Sequence, residues 1–436
     1  MFFWIPDQVG DDKHHTKNMA DISLKLLSDF VSIQSVSTDP SRHSEILKAV
    51  EFLKKEIKSL GFEVNIYKKK GCPPLIIGIY RPASTKVSKV SARQVGIYAH
   101  YDVQPEDPVG KWGSPPFELT RRNGKLFGRG VADDKGHIIQ IIEAIRRLVE
   151  TRHASSLHNN IVLIFEGEEE NASGNFEELI NQARKDLENI DVFYILDMGM
   201  KAKNIPQIFY GLRGIIAGEL KIKIGETDLH SGVYGNRVLN PVQIIAELLV
   251  KIKDGKTHQI KIPSFNDRVK EISQKEMEKS MPSFEVNGIK SGYTGDGTKT
   301  IIPCEATLKF SIRLVPNQKA KEIKKIVEDF IKNNLPKEVD FTLELSDGGD
   351  PFYTDFENPY SKKTAEILAD VFKNKTYFNR SGGSIAAAEI LQRVFAKPVI
   401  LTGFTLDDCN IHAPNENIDC EMFEKGITAL QKILRQ

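Results

Sequence analysis

Cysteine is scarce in this 436-residue chain, and the four cysteines that are present form no Cys-x-x-Cys pair. Cys72, Cys304, Cys409 and Cys420 therefore indicate reduced thiols of a cytoplasmic protein rather than a disulfide framework. The net charge is also small, at +1, because the chain has 60 Lys and Arg residues and 59 Asp and Glu residues. This balance argues against nucleic acid or an anionic membrane surface as a partner.

Several signatures of other protein classes are also missing. No stretch approaches the roughly 20 apolar residues that a membrane-spanning helix needs, so no membrane partner is expected. The chain contains neither an H-E-x-x-H metal motif nor a G-x-S-x-G nucleophile motif. The glycine-rich residues 292–299 lack the Gly-Lys-Ser/Thr ending of a phosphate-binding loop. The usual single-motif metalloprotease, serine hydrolase and nucleotide-binding assignments are therefore excluded.

The length of the chain predicts more than one domain. Residues 1–18 show no hydrophobic periodicity, and we expect them to be a disordered or non-native extension. In residues 19–212 and again in residues 350–436, helical patterns alternate with buried strands, and the predicted helices include residues 176–187, 359–372 and 420–434. This alternation predicts one α/β layered catalytic domain with a largely parallel sheet. Residues 213–349 instead combine half-solvated strands with helices, and residues 254–297 within them read as an irregular polar stretch. The pattern predicts an inserted α+β domain.

Polar side chains follow three of the predicted strands at the point where each strand ends. The first strand leads into His100 and Asp102, the second into an acidic run with Glu169 and Glu170, and the third into Asp197. In open α/β sheets, ligands bind at the carboxyl ends of the strands. We therefore expect these side chains to meet at one edge of the sheet.

The expected cluster is strongly acidic, and Asp133, in the turn before the next helix, adds a further carboxylate. Carboxylates gathered at one point raise one another's pKa values unless a cation neutralises them. Mixed His and carboxylate ligands suit zinc, with manganese or cobalt as alternatives. Each residue taken singly has a plainer interpretation, since a lone His is more often structural and an acidic run more often a solvated loop. Their joint placement at successive strand ends favours a metal site.

Four segments resemble, in the same order along the chain, motifs of a known family. They are YAHYDVQP at 98–105, GRGVADDKG at 128–136, EGEEE at 166–170 and NIHAPNE at 410–416. The family is that of the co-catalytic dinuclear-zinc exopeptidases, which contains carnosinase, cytosolic non-specific dipeptidase, glutamate carboxypeptidase, acetylornithine deacetylase and succinyl-diaminopimelate desuccinylase. The resemblance runs from about residue 22 to the C-terminus and is closest to the dipeptidase branch. It implies a three-layer zinc-exopeptidase-like α/β domain with an inserted α+β lid and dimerisation domain.

The resemblance also implies a ligand set for two divalent metal ions, with zinc as the expected metal. His100 and Asp197 would bind one ion, and Glu170 and His412 would bind the other. Asp133 would bridge the two ions. The peptide bond that follows the bridging aspartate is typically cis in this family, so a cis peptide is expected after Asp133.

Two further residues of the cluster receive catalytic roles from the resemblance. Asp102 would accept a hydrogen bond from the second imidazole nitrogen of His100, which fixes the tautomer and makes the ligand more basic. Glu169 would be the general base that generates a metal-bridging hydroxide and then returns the proton to the leaving amine.

The inserted domain carries substrate-binding candidates of its own. His230, in the segment DLHSGVYG, resembles a lid-domain His of the dipeptidases that reaches into the neighbouring protomer's site and stabilises the oxyanion. Arg313 resembles a strand Arg that binds the free carboxylate of the substrate, a task suited to a planar guanidinium. Gly383 and Ser384 precede a predicted helix whose N-terminus could bind the same carboxylate. The plainer alternatives are a surface His, a solvated Arg and an ordinary turn.

These features predict a metal-dependent homodimeric hydrolase that cleaves the amide bond of dipeptides or small peptides with a free C-terminal carboxylate. An N-acyl or N-succinyl amino acid deacylase of the same family is the alternative, because it uses the same metal chemistry. A non-catalytic binding protein with this fold would have lost the base or the ligands, yet Glu169 and all five ligand positions are present.

Overall fold

The computed structural model describes residues 22–82, 93–150, 159–269 and 281–435. The extension predicted for residues 1–18 therefore lies outside the described residues. Within the described part, no helix is both long enough and apolar enough to cross a membrane.

Helices and strands are numbered here in chain order. The helices are α1 (residues 22–31), α2 (His43–Ser59), α3 (Lys135–Glu150), α4 (Phe176–Gln182), α5 (Arg184–Leu187), α6 (Ser231–Tyr234), α7 (Pro241–Ile252), α8 (Ala320–Asn334), α9 (Pro359–Phe372), α10 (Ala386–Phe395) and α11 (Cys420–Leu434). The strands are β1 (Glu63–Tyr67), β2 (Leu75–Tyr80), β3 (Gln94–His100), β4 (Thr120–Arg122), β5 (Lys125–Phe127), β6 (Asn160–Glu166), β7 (Val192–Ile195), β8 (Gln207–Leu212), β9 (Gly214–Lys223), β10 (Leu229–His230), β11 (Ser283–Ser291), β12 (Ile301–Ile302), β13 (Glu305–Leu314), β14 (Asp340–Leu345), β15 (Phe352–Tyr353), β16 (Tyr377–Arg380), β17 (Val399–Leu401) and β18 (Asn417–Asp419).

The chain divides into two compact units. The first unit takes the described residues of Met1–Tyr210, Thr354–Asn379 and Ile390–Gln436, and the second takes those of Gly211–Tyr353 and Arg380–Glu389. The second unit thus begins close to residue 213, where the inserted domain is predicted to start. It also includes Arg380–Glu389, which the sequence pattern places in the catalytic domain.

The first unit is built around a mixed sheet with the strand order β1-β2-β6-β3-β7-β17. Strands β6, β3, β7 and β17 run parallel to one another, as predicted for buried strands that alternate with helices. The expectation of a largely parallel sheet holds only for this centre, because β1 and β2 continue the sheet antiparallel beyond β6, and β8 pairs antiparallel with β17. An antiparallel neighbour needs no crossover helix, and a short turn joins β1 to β2.

Helices cover both faces of this sheet and produce the expected three-layer α/β architecture. On one face, Ile97 of β3 belongs to a core with Ile142 of α3 and Leu430 of α11. On the opposite face, the neighbouring residue Tyr98 packs its ring edge-on against Phe176 of α4, with 5.6 Å between ring centroids. Successive side chains of a strand point to opposite faces, so burial on both faces explains the unbroken apolar run of β3.

The second unit contains a four-stranded antiparallel sheet with the order β11-β13-β9-β14. Leu220 of β9, Leu248 of α7 and Val327 of α8 share its core, which places both helices against one face. Buried and less buried residues alternate along β9 and β13, as the sequence pattern of half-solvated strands predicts.

Two expectations about local structure are wrong. Residues 283–291 form strand β11 within the stretch that reads as irregular. A register shift between Val286 and Gly288 interrupts the alternation of side chains, so the strand pattern is hidden in the sequence. The helix expected over residues 176–187 is divided at Ala183 into α4 and α5.

Candidate metal centre

Three neighbouring strands deliver polar side chains to one edge of the first unit's sheet. His100 is the last residue of β3, and Asp197 lies two residues after the end of β7. Glu169 and Glu170 begin a 3-10 helical turn that closely follows β6. Because β6, β3 and β7 are adjacent and parallel, their carboxyl ends meet.

Asp133 lies between two imidazoles that come from distant parts of the chain. Its Oδ1 is 2.9 Å from Nε2 of His100, and its Oδ2 is 2.9 Å from Nε2 of His412. Two groups of possible ligands result, and both contain Asp133. One adds His100 and Asp197, the other adds Glu170 and His412, and the ligand atoms of each group lie within 4.8 Å of one another. The structure thus brings together all five predicted ligand residues.

The cluster combines carboxylates with imidazoles, and each type shifts the pKa values of the other. Burial, followed by the charge of Asp133, raises the pKa of Glu170 and raises that of Asp197 well above its usual value. Burial opposes ionisation of His100, yet Asp102 and Asp133 raise its pKa well above the ordinary value. Hydrogen bonds to Asp133 and Glu170 raise the pKa of His412 to about 10. A bound divalent cation would stabilise the ionised carboxylates and the neutral imidazoles together.

The residues present fit such a cation. Oε1 of Glu170 is buried and has no hydrogen-bond partner among the described residues, so this oxygen is available as a ligand. Imidazole nitrogens and carboxylate oxygens are common ligands of Zn²⁺, and each group combines both types. A carboxylate that belongs to both groups suits a pair of neighbouring ions, because each of its oxygens can bind one ion.

Asp102 is buried beside the cluster and contacts both the imidazole of His100 and the backbone of the acidic turn, whereas the sequence indicates only the first contact. Its Oδ1 lies 3.3 Å from Nδ1 of His100, which leaves Nε2 of that ring facing Asp133. The same carboxylate accepts hydrogen bonds from the backbone N–H of Glu169 at 3.3 Å and of Glu170 at 3.1 Å. Asp102 therefore orients the imidazole and the acidic turn at once.

Glu169 lies in this turn without belonging to either ligand group. Burial raises the pKa of Glu169 well above its usual value, and the charges of Asp133 and Glu170 add to that shift. A carboxylate with a raised pKa that lies next to a metal site is a strong candidate for proton transfer at neutral pH.

Several contacts of the centre are not evident from sequence. Ser37 donates to Oδ2 of Asp102 at 2.6 Å, and Gln104 donates through Nε2 to Oε2 of Glu170 at 2.7 Å. Asp134 accepts from the backbone N–H of His100 at 3.2 Å, and the Asp133–Asp134 peptide bond is cis, as the resemblance predicts. Gln104 and Asp134 stand inside recognisable motifs, but nothing in the sequence marks Ser37.

The second unit contains the predicted His230, at the end of β10 and exposed to solvent. Its Nδ1 accepts a hydrogen bond from the backbone N–H of Gly232 at 3.1 Å. A neutral imidazole that accepts at Nδ1 carries its proton on Nε2. The ring of His230 thus presents an N–H donor.

Arg313 of β13 and Ser384 lie together in the second unit. Nη1 of Arg313 donates to Oγ of Ser384 at 2.9 Å, and this hydroxyl donates in turn to the carbonyl oxygen of Arg213 at 2.6 Å. The backbone N–H of Gly383 donates to Oγ of Ser381 at 3.1 Å. The hydroxyl proton of Ser384 and the amide proton of Gly383 are therefore engaged within the protein, while the guanidinium of Arg313 keeps further donors.

Known proteins and solved structures are similar to this chain over most of its length. The model of Peptidase family M20/M25/M40 matches residues 96–436. The Cys-Gly metallodipeptidase dug1 of Schizosaccharomyces pombe is 28% identical over 92% of this chain and 92% of its own. The human Beta-Ala-His dipeptidase is 29% identical over 80% of this chain and 74% of its own. The solved structure of the M20 family metallo-carboxypeptidase Sso-CP2 from Sulfolobus solfataricus matches with a TM-score of 0.84 and 26% identity, covering 95% of this chain and 98% of that one. The chain is thus a peptide hydrolase that belongs to peptidase family M20/M25/M40.

Proposed function

We propose that this protein hydrolyses the amide bond of dipeptides or small peptides that have a free C-terminal carboxylate, with two divalent metal ions bound at the candidate centre. The observation that carries the proposal is the position of Asp133, whose two carboxylate oxygens face two different imidazoles at 2.9 Å each. The dipeptidase relatives support the choice of substrate class.

His100, Asp133 and Asp197 would hold one ion, and Asp133, Glu170 and His412 would hold the other. We propose zinc on the basis of the mixed nitrogen and oxygen donors, with manganese and cobalt as alternatives. When bound, such ions make water easier to deprotonate and polarise the carbonyl of the scissile amide.

Glu169 is the proposed general base. Its raised pKa suits a group that accepts a proton from the attacking water and then returns it to the nitrogen of the leaving amine. Asp102 keeps the backbone of this turn in place through the amides of Glu169 and Glu170. These two bonds fix the backbone from which both the proton acceptor and the ligand carboxylate extend.

His230 is proposed to stabilise the negative charge that develops on the carbonyl oxygen during attack. The bond from Gly232 to Nδ1 supports this role, because it leaves Nε2–H free to donate. A Cβ on Gly232 would lie 3.0 Å from Cε1 of the imidazole, so a glycine at this position gives the ring the space to accept that bond.

Arg313 is proposed to bind the C-terminal carboxylate of the substrate. Ser384 supports it indirectly, because its hydroxyl accepts from Arg313 and orients the guanidinium. The direct substrate contacts predicted for Gly383 and Ser384 remain part of the proposal. For Ser384, however, the geometry supports an orienting role more than a donor role.

A second copy of this chain is the proposed partner, bound through the second unit. Strand β11 is the terminal strand in the order of that unit's sheet, and its Val286 and Ile289 are exposed. Val242 and Val250 of α7 are exposed as well. Exposed apolar side chains on an edge strand and on a helix of the same unit suit self-association. A cytoplasmic location is also proposed, and it accords with four cysteines that all remain free thiols.

The test is turnover by the metal-free protein after addition of Zn²⁺, Mn²⁺ or Co²⁺, with a panel of dipeptides, C-terminally amidated dipeptides, and N-acetyl and N-succinyl amino acids. The proposal predicts metal-dependent hydrolysis of dipeptides with a free carboxylate. Preferential cleavage of the N-acyl amino acids would instead identify a deacylase of the same family.

A further inference from the structure

The carboxylate of Glu416 lies beside the candidate metal centre but belongs to neither ligand group. The residue is fully buried. Its Oε1 accepts hydrogen bonds from the backbone N–H of Ala132 at 2.9 Å and of Asp133 at 3.1 Å. Its Oε2 accepts from the backbone N–H of Gly130 at 3.0 Å and from Nη1 of Arg129 at 2.6 Å. All four partners are donors, so both oxygens of Glu416 serve as acceptors.

The backbone that Glu416 holds has an unusual shape. Gly130 has a φ of +88°, and a Cβ at this position would lie 2.8 Å from Cγ1 of Val103. A loop with this conformation points several N–H groups in one direction, and those groups need an acceptor when they are buried. Glu416 supplies that acceptor, and the last of the amides it binds is that of Asp133.

Glu416 also connects two segments that bear proposed ligands. It lies four residues after His412 in the same loop, and its own carbonyl oxygen accepts from the N–H of Gly128 at 3.1 Å. The proposed ligands Asp133 and His412 are 279 positions apart in the chain. One side chain thus ties the loop of the shared aspartate to the loop of a histidine that faces it.

We propose that Glu416 is a positioning residue, which holds Asp133 so that its two oxygens serve both metal ions and fixes the loop of His412 relative to it. This inference rests on the proposed two-metal function. Residues that orient metal ligands typically affect metal affinity or activity by about 10- to 100-fold when they are replaced.

The variant Glu416→Gln keeps the shape of the side chain but replaces one acceptor with an NH₂ group. At the position of Oε1 the NH₂ group would face the backbone N–H groups of Ala132 and Asp133, and at the position of Oε2 it would face the N–H of Gly130 and the guanidinium of Arg129. In both orientations a donor therefore faces donors. We expect zinc affinity to fall by about 10- to 100-fold, measured by titration of the metal-free protein against a chelating competitor. We also expect kcat, calculated per folded and zinc-loaded molecule, to fall with little change in KM; loss of stability alone would lower the folded fraction but not this corrected kcat.

Glu143→Gln is the matched control. Glu143 of α3 is equally buried and accepts from Nε of Arg147 at 2.9 Å, but it belongs to neither ligand group. This variant should lower thermal stability and keep wild-type zinc affinity. An equal loss of zinc affinity in both variants would assign Glu416 a structural role only and overturn the inference.

Two further measurements cover the case in which Glu416→Gln fails to fold. Glu416→Asp keeps the charge but is one methylene too short to reach all four donors, and it should weaken zinc binding in the same direction. In the wild-type protein, the amides of Gly130, Ala132 and Asp133 should be protected from hydrogen exchange even without metal, because Glu416 and not the metal holds them. Rapid exchange there would overturn the inference.

The outcomes separate this inference from the function on which it rests. Wild-type zinc affinity in a folded Glu416 variant would overturn the positioning role alone. A wild-type protein that binds fewer than two zinc ions would overturn the two-metal function, and this inference with it.

Discussion

Replacing Glu169 with glutamine separates the contribution of this residue to proton transfer from any contribution to metal binding. The backbone N–H of Glu169 donates to Oδ1 of Asp102, and the side chain belongs to neither ligand group, so the variant should keep the turn and both metal sites. Glutamine has the same shape but cannot accept a proton from water. The variant should therefore bind metal normally and lose turnover.

The size of the loss follows from the role that the structure supports. A positioned general acid–base group typically contributes about 10²- to 10⁴-fold to the rate. At about 1.4 kcal/mol for each factor of ten, this is roughly 3 to 5.5 kcal/mol of barrier height. The raised pKa of Glu169 is in the direction that suits a general base near neutral pH.

The assay combines kcat on a dipeptide with metal content measured by mass spectrometry. Glu168→Gln is the matched control, since this neighbouring carboxylate bonds to the backbone and side-chain amides of Asn175 instead. It should keep most of the activity. Wild-type turnover by Glu169→Gln, or an equal loss in the two variants, would refute the assignment of Glu169 as base.

Three further predictions follow from the geometry. Arg313→Ala should raise KM by about 10- to 100-fold for dipeptides with a free carboxylate, since a charged hydrogen bond is worth about 1.5–3 kcal/mol. The control Arg268→Ala, which removes an exposed ion pair with Glu322, should leave KM unchanged. An equal rise in KM of Arg313→Ala for amidated dipeptides would contradict the role of Arg313. His230→Ala should lower kcat by about 100- to 1,000-fold at constant metal content. Mixing this variant with Glu169→Gln should restore activity only if the His230 of one copy acts in the metal centre of the other. Metal-free protein should lose thermal stability as pH rises from about 6.5 towards about 10, because the His412 imidazole has a folded-state pKa of about 10 and favours the folded state only while protonated. The raised pKa values of the Glu170 and Asp197 carboxyls act in the same direction. Zinc-loaded protein binds its metal through the deprotonated groups, so the melting-temperature difference between the two forms should grow over this range; a constant difference would contradict the electrostatic reasoning.

Elements with strong local signals were predictable. The bounds of α9 and α11 match the sequence pattern because local caps mark them. Asn358 caps α9 with Pro359 in its first turn, and Asp419 caps α11. Strand β11 was not predictable because its bulge breaks the alternation. The small sheet β18-β5-β4 was missed because its strands have three residues each, and β18 pairs with a strand far away in the chain.

For the site, residue types and their positions at strand ends suffice to nominate the ligands, because the carboxyl ends of parallel strands converge in any α/β sheet. Sequence also marks Glu169 and Arg313 through motif resemblance. Only the folded chain shows that the two oxygens of Asp133 face different imidazoles, and that Asp102 holds the acidic turn as well as His100. These contacts join segments far apart in the chain, and a hydrogen bond depends on distance and direction in space, which spacing along the sequence does not encode.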